Sequence, residues 1–397
     1  MKTKEGGIVQ VRFKSKWALI LMVLMLGVAL VASGCGQKAG QQGASGEKVI
    51  KIGFVAPLTG DVKTFGESAK KGFNLALEQA GNKAGDYTIQ PVIVDDRNDA
   101  TEAVNVATKL INENKVSAIV GSLTSLTTIP ISELANSNKV VEISGTATSP
   151  KVTVENGKRK DYIFRACFID PTQGTVGAKF ALNKLHAKTA AILYDQGNDY
   201  TIGLAKNFED AFTKGGGKVL FKGTYAKTDV DFSAVLTNIA QMKPDILYLP
   251  DYYQKVSLIG KQARDKGIKA TFMGGDGWDS SDLDYKTMDG GYFTAHYSGQ
   301  DPRPEVQKWV KDFKAKYNSE PDSFATLTYD ATNLLLNAIK TANSSDPTKI
   351  KDALQATKGF SAVSGSDISF DQDGNPIKPV TILQVKDGKY KFISIMK

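Results

Sequence analysis

Ser125, Thr148 and Asp276 each follow a short apolar run, where a strand of an open sheet would end. In such sheets ligands bind just beyond the carboxyl ends of the strands, where helix N-termini leave N–H groups free. That rule singles out six loops: 57–60 with Phe65-Gly66 after it, 121–125, 145–149, 195–200, 250–253 and 274–279. The hydroxyls of Ser125 and Thr148, joined by nearby N–H groups at the positive end of a helix dipole, suit a carboxylate. Asp276, with a reference pKa of ~3.9, is ionised at neutral pH and suits an ammonium group. Phe65, Tyr200, Tyr252 and Phe324 are aromatic and would surround an apolar side chain. Together these groups describe a site for an α-amino acid. Each also has a plain structural alternative: Ser125 as a helix N-cap, the tyrosines as core rings, Asp276 as the holder of a turn.

The elements that must position these residues alternate regularly from Val49 onward. Val49–Ala56 and the runs 89–94, 117–120, 140–144, 190–194, 246–249 and 270–273 read as buried parallel strands. Between them, apolar residues at helical spacing mark 73–80, 104–111, 180–185, 204–212, 232–239 and 256–263. Strand–helix alternation in two sets predicts an α/β protein with two Rossmann-like lobes and mainly parallel sheets. The last third differs: 305–317, 323–341 and 348–356 read as helices, followed by short strands and turns. Asp371-Gln-Asp-Gly-Asn375 and Lys386-Asp-Gly-Lys389 carry the Asp-Gly hairpin signal. The first also resembles a calcium loop, but no glutamate follows at the required distance, which favours the plain turn.

Catalytic machinery is missing from the pattern. No histidine is placed to activate Ser125, so a Ser-His-Asp hydrolase is disfavoured. The chain has no phosphate-binding G-x-x-x-x-G-K-[ST] loop, and Gly274-Gly-Asp-Gly277 is not the dinucleotide fingerprint. His186 and His296 stand alone, without Cys or His at metal-ligand spacing, so neither metal nor cofactor is expected. Cys167 lies in a strand-like run and reads as a buried structural thiol. With 397 residues, 41% hydrophobic and 23% charged, the composition is that of a two-domain globular chain. Half of the +8 net charge resides in residues 1–34, and no basic run follows, which argues against nucleic acid.

That N-terminal charge belongs to an address. Arg12, Lys14 and Lys16 precede an apolar stretch, 17–32, that ends in Ala32-Ser33-Gly34-Cys35. A basic n-region, a short apolar h-region and small residues read as a secretory signal over 1–34, too short for a lone membrane span of ~20 residues. The small-small-Cys ending resembles a bacterial lipobox, which makes Cys35 the expected lipidation site. Residues 35–47, rich in Gly, Gln, Ser and Ala, read as a flexible tether. Ordinary cleavage near Cys35, giving a soluble secreted protein, is the alternative.

Residues 49–397 resemble the leucine/isoleucine/valine-binding protein family of periplasmic-type receptors almost end to end. The resemblance is carried by Lys51-Ile-Gly-Phe-Val-Ala-Pro-Leu-Thr-Gly60, Val120-Gly-Ser-Leu-Thr-Ser125, Thr146-Ala-Thr-Ser-Pro150, Tyr252-Tyr253 leading to Gln262-Ala-Arg264, and Phe272-Met-Gly-Gly-Asp-Gly-Trp-Asp279. It implies that Ser125 and Thr148 hold the ligand's carboxylate and amine, with main-chain help from Thr146 and Ala147. Asp276 would neutralise the ammonium. Phe65, Tyr200, Tyr252, Phe324, Leu123 and Thr124 would line the side-chain pocket. Asp251 stands where relatives often carry glycine and would reach a basic or polar side chain. The implied fold is a type I periplasmic binding protein with a three-crossing hinge near Asp170-Pro171, Tyr297-Ser298 and 372–376. One lobe takes 48–170 and 298–373, the other 171–297 and 374–397. The implied function is capture of a free amino acid, branched-chain by family, for a membrane ABC permease, by a lipid-anchored monomer outside the cytoplasm. The competing readings are another cargo on the same fold (a short amide, a urea-like solute, an aromatic acid or another amino acid), a sensory binding protein, or an amidase using Asp276 or Asp95-Asp96.

Overall fold

The structure, a computed structural model, describes residues 48–396. Cys35, the signal-like segment 1–34 and the tether 35–47 lie outside the described residues.

Two sheets organise the chain. The first has the order Lys83–Ala84, Tyr87–Asp95, Val49–Ala56, Ala118–Val120, Val141–Ser144, Ile163–Arg165. All its pairings are parallel except that of the two-residue Lys83–Ala84 strand. Its central strands are buried on both faces, as near-continuous apolar runs require. Helices Lys63–Gln79 and Ser323–Ala342 cover one face with Phe73, Leu77, Leu327 and Leu334. Helices Ala100–Asn112 and Ser125–Ser137 cover the other with Ala107, Leu110, Ile131 and Ala135.

The second sheet has the order Lys218–Tyr225, Thr189–Asp195, Ile246–Tyr248, Thr271–Gly274, Tyr292–Ala295, Val380–Lys386, Lys389–Met396. Its first four pairings are parallel and its last two antiparallel. Phe180, Leu204, Phe208 and Phe212 of helices Asp170–Asn183 and Asp199–Lys214 pack against Ile192, Tyr248 and Met273 on one face. Leu236, Val256 and Ile259 of helices Ser233–Met242 and Tyr253–Asp265 pack on the opposite one.

Each sheet with its helices is one lobe, and the chain passes between them three times. It leaves the first sheet after Ile163–Arg165 for helix Asp170–Asn183. After Tyr292–Ala295 it returns to helix Pro304–Tyr317, whose Trp309 and Phe313 pack with Leu75 and Ala325 of the first lobe. After the Gly365–Ile368 strand it goes back to Val380–Lys386. The 371–375 turn is closed by Asp371, whose Oδ1 accepts from the N–H groups of Asp373 and Asn375, both at 2.8 Å.

Lys218–Tyr225 and Tyr292–Ala295 of the second sheet, with Lys83–Ala84 and Ile163–Arg165 of the first, add to the seven buried parallel strands expected from the sequence. Lys218–Tyr225 edges its sheet and is largely half-exposed, so it lacks the apolar run of a buried strand.

Candidate ligand-binding site

The first lobe contributes two loops that follow parallel neighbours, Ala118–Val120 and Val141–Ser144. Between the first strand and helix Ser125–Ser137, Gly121 has φ +122°, and a Cβ there would stand 2.1 Å from the Val55 carbonyl oxygen. Only glycine meets both conditions. Thr124, not Ser125, occupies the helix N-cap position, and its hydroxyl donates to Asn98 Oδ1 at 2.8 Å rather than capping. Ser125 therefore starts the helix, where the dipole favours an anion. The two loops are stitched together: Thr146 Oγ1 donates to the Leu123 carbonyl at 2.6 Å, and the Ser149 N–H donates to Ser125 Oγ at 3.2 Å. Thr148 is 1% exposed, and its hydroxyl meets no protein partner at hydrogen-bond geometry. It lies near the buried Asp170 carboxyl, which burial pushes well up from the ordinary carboxylate range, with the neighbouring Thr148 hydroxyl opposing.

The second lobe presents Asp276 at the end of strand Thr271–Gly274. Its neighbours leave little room for a side chain: a Cβ at Gly275 would lie 2.7 Å from the Tyr200 hydroxyl, and one at Gly277 3.0 Å from the Asp251 carbonyl oxygen. Three long-range contacts fix Asp276. Tyr200 donates to Oδ1 at 2.8 Å, His296 Nε2 meets Oδ2 at 2.9 Å, and the Asp276 N–H donates to Gln173 Oε1 at 2.8 Å. Burial, with the Asp276 charge second, raises the Tyr200 phenol well above its ordinary value. Burial lowers the His296 imidazole. Both groups are thus neutral at pH 7, and neither cancels a carboxylate's charge. Trp278 anchors the same turn through Nε1–H to the Leu249 carbonyl at 3.0 Å.

A small cavity of about 10 Å³ lies where the lobes meet, bounded by Leu123, Thr124, Ser125, Thr146, Thr148 and Phe324 from the first lobe and Tyr200, Tyr252, Asp276 and Gly277 from the second. Nine of the eleven residues expected to contact a ligand are on its wall. Phe65 stands behind it, stacked on Phe324 at 3.7 Å and edge-on to Tyr252 at 5.8 Å. Ala147 also stands back; its carbonyl accepts from Arg165 Nη1 at 2.7 Å, and its N–H donates to Ser144 Oγ at 3.2 Å. Asp251 instead lines a larger cleft of about 480 Å³, on which Tyr252 also borders. It accepts from Tyr225 and from the Tyr252 N–H, and burial pushes its carboxyl up to about 6.

Contacts across the cleft draw the lobes together. Lys151 pairs with Asp199 at 2.7 Å, Lys227 with Asp61 at 3.1 Å, and the Ser323 N–H donates to Asp279 Oδ2 at 2.9 Å. Asp95 and Asp96 are absent from the small cavity: Asp95 ties down Leu58, Thr59 and Arg97, and Asp96 holds Ser122 and Asn98. Among the described residues, no group of three or more His, Cys, Asp or Glu side chains is gathered for a metal. Cys167 is buried and its thiol is pushed up to about 12 by burial, which makes it inert.

His296 was missed by sequence reasoning because Asp276, its partner, is twenty positions away and on another strand. The strand-end rule finds it once Tyr292–Ala295 is recognised as a strand, since His296 is the next residue.

The family model described as periplasmic binding protein matches residues 49–389. A Leu/Ile/Val-binding protein homolog 2 from Brucella abortus is 31% identical over 353 residues, covering 86% of this chain and 93% of that one. The crystal structure of a leucine binding protein, LivK, from Thermotoga maritima superposes with a TM-score of 0.83 at 35% identity, covering 87% of this chain and 98% of the other. The branched-chain amino acid transporter substrate binding protein LivJ from Streptococcus pneumoniae, in complex with isoleucine, gives a TM-score of 0.81 at 32% identity, covering 88% and 99%.

Proposed function

Because this chain belongs to the periplasmic binding protein family, we propose that it captures a free branched-chain amino acid between two closing lobes and delivers it to a membrane ABC permease. The observation that carries this reading is the pairing across the small cavity. Hydroxyls and a helix N-terminus face it from one lobe, a buried carboxylate held by neutral donors faces it from the other, and Leu123, Phe324 and Tyr252 supply apolar wall between them. A zwitterion with a short aliphatic side chain matches all three.

Ligand contacts shared by both lobes stabilise the closed arrangement, because only differential affinity moves a hinge equilibrium. The lobes are taken as 48–170 with 298–373, and 171–297 with 374–397. Binding without turnover is supported by Ser125, whose side chain pairs with a backbone N–H and not with a histidine. The family places the chain outside the cytoplasm. Lipidation at Cys35 would hold it there, and several acyl chains at ~0.8 kcal/mol per buried CH₂ make that hold essentially permanent. Cys35→Ser should then leave the membrane fraction with ligand affinity unchanged, and continued retention would remove the anchor.

The decisive experiment is a thermal-shift screen of residues 48–397 against the twenty amino acids, short amides, urea and benzoate. A ligand that binds only the folded state adds about 2.7 kcal/mol at a hundredfold excess over Kd. Large shifts with leucine, isoleucine or valine alone are expected. A response confined to an amide or aromatic acid would retain the fold and overturn the cargo.

A further inference from the structure

We propose that His296 is a positioning residue for recognition of the ligand's ammonium group, acting by fixing the Asp276 carboxylate through its Nε2–H. The inference rests on the reading of Asp276 as the ammonium acceptor. An aspartate's terminal torsion is broad and roughly two-fold, so its own rotamer does not set the plane of its oxygens. Here that plane is set from outside: Tyr200 holds Oδ1 at 2.8 Å and His296 holds Oδ2 at 2.9 Å. A carboxylate is an acceptor only, so the imidazole proton sits on Nε2. Nδ1 is then a bare acceptor; it is buried without a protein partner, and His296 forms part of the wall of a separate cavity of about 220 Å³ that also touches Ser298, Arg303 and Thr381. Phe168, stacked on the ring with centroids 3.7 Å apart, fixes its orientation.

Placement reinforces the contact. Strands Thr271–Gly274 and Tyr292–Ala295 pair in parallel, with Gly274 opposite Phe293, so donor and acceptor leave adjacent strands of one sheet. Neutrality matters as much as position. A lysine or arginine in this place would satisfy the carboxylate and compete with the incoming ammonium, whereas a neutral N–H orients the carboxylate and leaves its charge for the ligand.

The test compares L-leucine with 4-methylpentanoate, the same skeleton without the amine, in wild type, His296→Leu and His296→Gln. Removing the donor is expected to weaken leucine binding by roughly ten- to a hundredfold, because the bond is to a charged group. Binding of 4-methylpentanoate should change by less than about threefold by the same reasoning. Gln offers an N–H of similar reach and should recover most of the preference for leucine. Nitrogen-15 NMR of the wild type should show the neutral Nε2-protonated tautomer. Equal losses for both ligands in His296→Leu would overturn the proposal, as would a folded His296→Gln protein no better than His296→Leu, or a proton found on Nδ1. Failure of the wild type to bind leucine would instead overturn the cargo, while the tautomer would still decide the His296 contact.

Discussion

The two rims that meet at the small cavity are built by opposite means. On the first lobe, Thr146 and Ser125 are tied to backbone groups within the stretch 121–149. That rim is assembled from chain segments close in sequence, and it presents neutral donors at a helix start. On the second lobe, one aspartate is held by side chains 76, 20 and 103 positions away: Tyr200 and His296 on its carboxylate, and Gln173 on its backbone N–H. A dipole comes with the backbone and needs local geometry only. A buried charge must be oriented without being neutralised, and that takes partners from several elements.

The largest way to break this contrast is Asp276→Ala. It leaves an ammonium buried without its partner, and ligand affinity should fall by roughly 2–5 kcal/mol in calorimetry. Unchanged affinity would remove the assigned site. On the opposite rim, Thr148→Val removes one of several donors to a carboxylate and should cost less, about 1.5–3 kcal/mol. A loss as large as that of Asp276→Ala would erase the distinction between shared and single support.

Asp279 sharpens the comparison through pH. Burial first, and then the neighbouring Asp322, push its carboxyl up to about 7. A carboxyl raised in the folded protein keeps its proton where the unfolded chain has released it, so its stabilising contribution is present at low pH and lost as pH rises towards that value. Asp279→Asn should therefore gain in melting temperature on the wild type between about pH 4 and about pH 7, with no further gain above that. Parallel melting curves would show that Asp279 does not titrate in this window. The smallest effect is expected from Lys151→Ala, which breaks an exposed contact with Asp199 and should alter Kd by less than about threefold, falling further with salt.

The same contrast explains what the sequence shows and what it conceals. Val49–Ala56, Ala118–Val120 and Val141–Ser144 are buried runs bounded by turns, so the strand-end rule reached Ser125 and Thr148 directly. Asp276 was reachable because glycines flank it. Its holders were not: the Tyr200 hydroxyl acts on Asp276 rather than simply lining the pocket, and His296 reads as isolated until the fold brings it in. Tyr292–Ala295 follows two glycines and is interrupted by Thr294, so it shows no continuous apolar run. Phe65 was recognised as aromatic and placed on the wall, whereas stacking on Phe324 puts it one layer behind.

The order in which the second sheet is threaded has a consequence for how the chain is born. Tyr292–Ala295 pairs with Val380–Lys386, which pairs in turn with Lys389–Met396, so the C-terminus supplies the final two strands. A chain made from its N-terminus first leaves the edge of Tyr292–Ala295 uncovered until those last strands arrive. Residues 380–386 must therefore emerge before the edge of Tyr292–Ala295 is covered, and a chain cut short before Val380 keeps an open sheet edge beside His296.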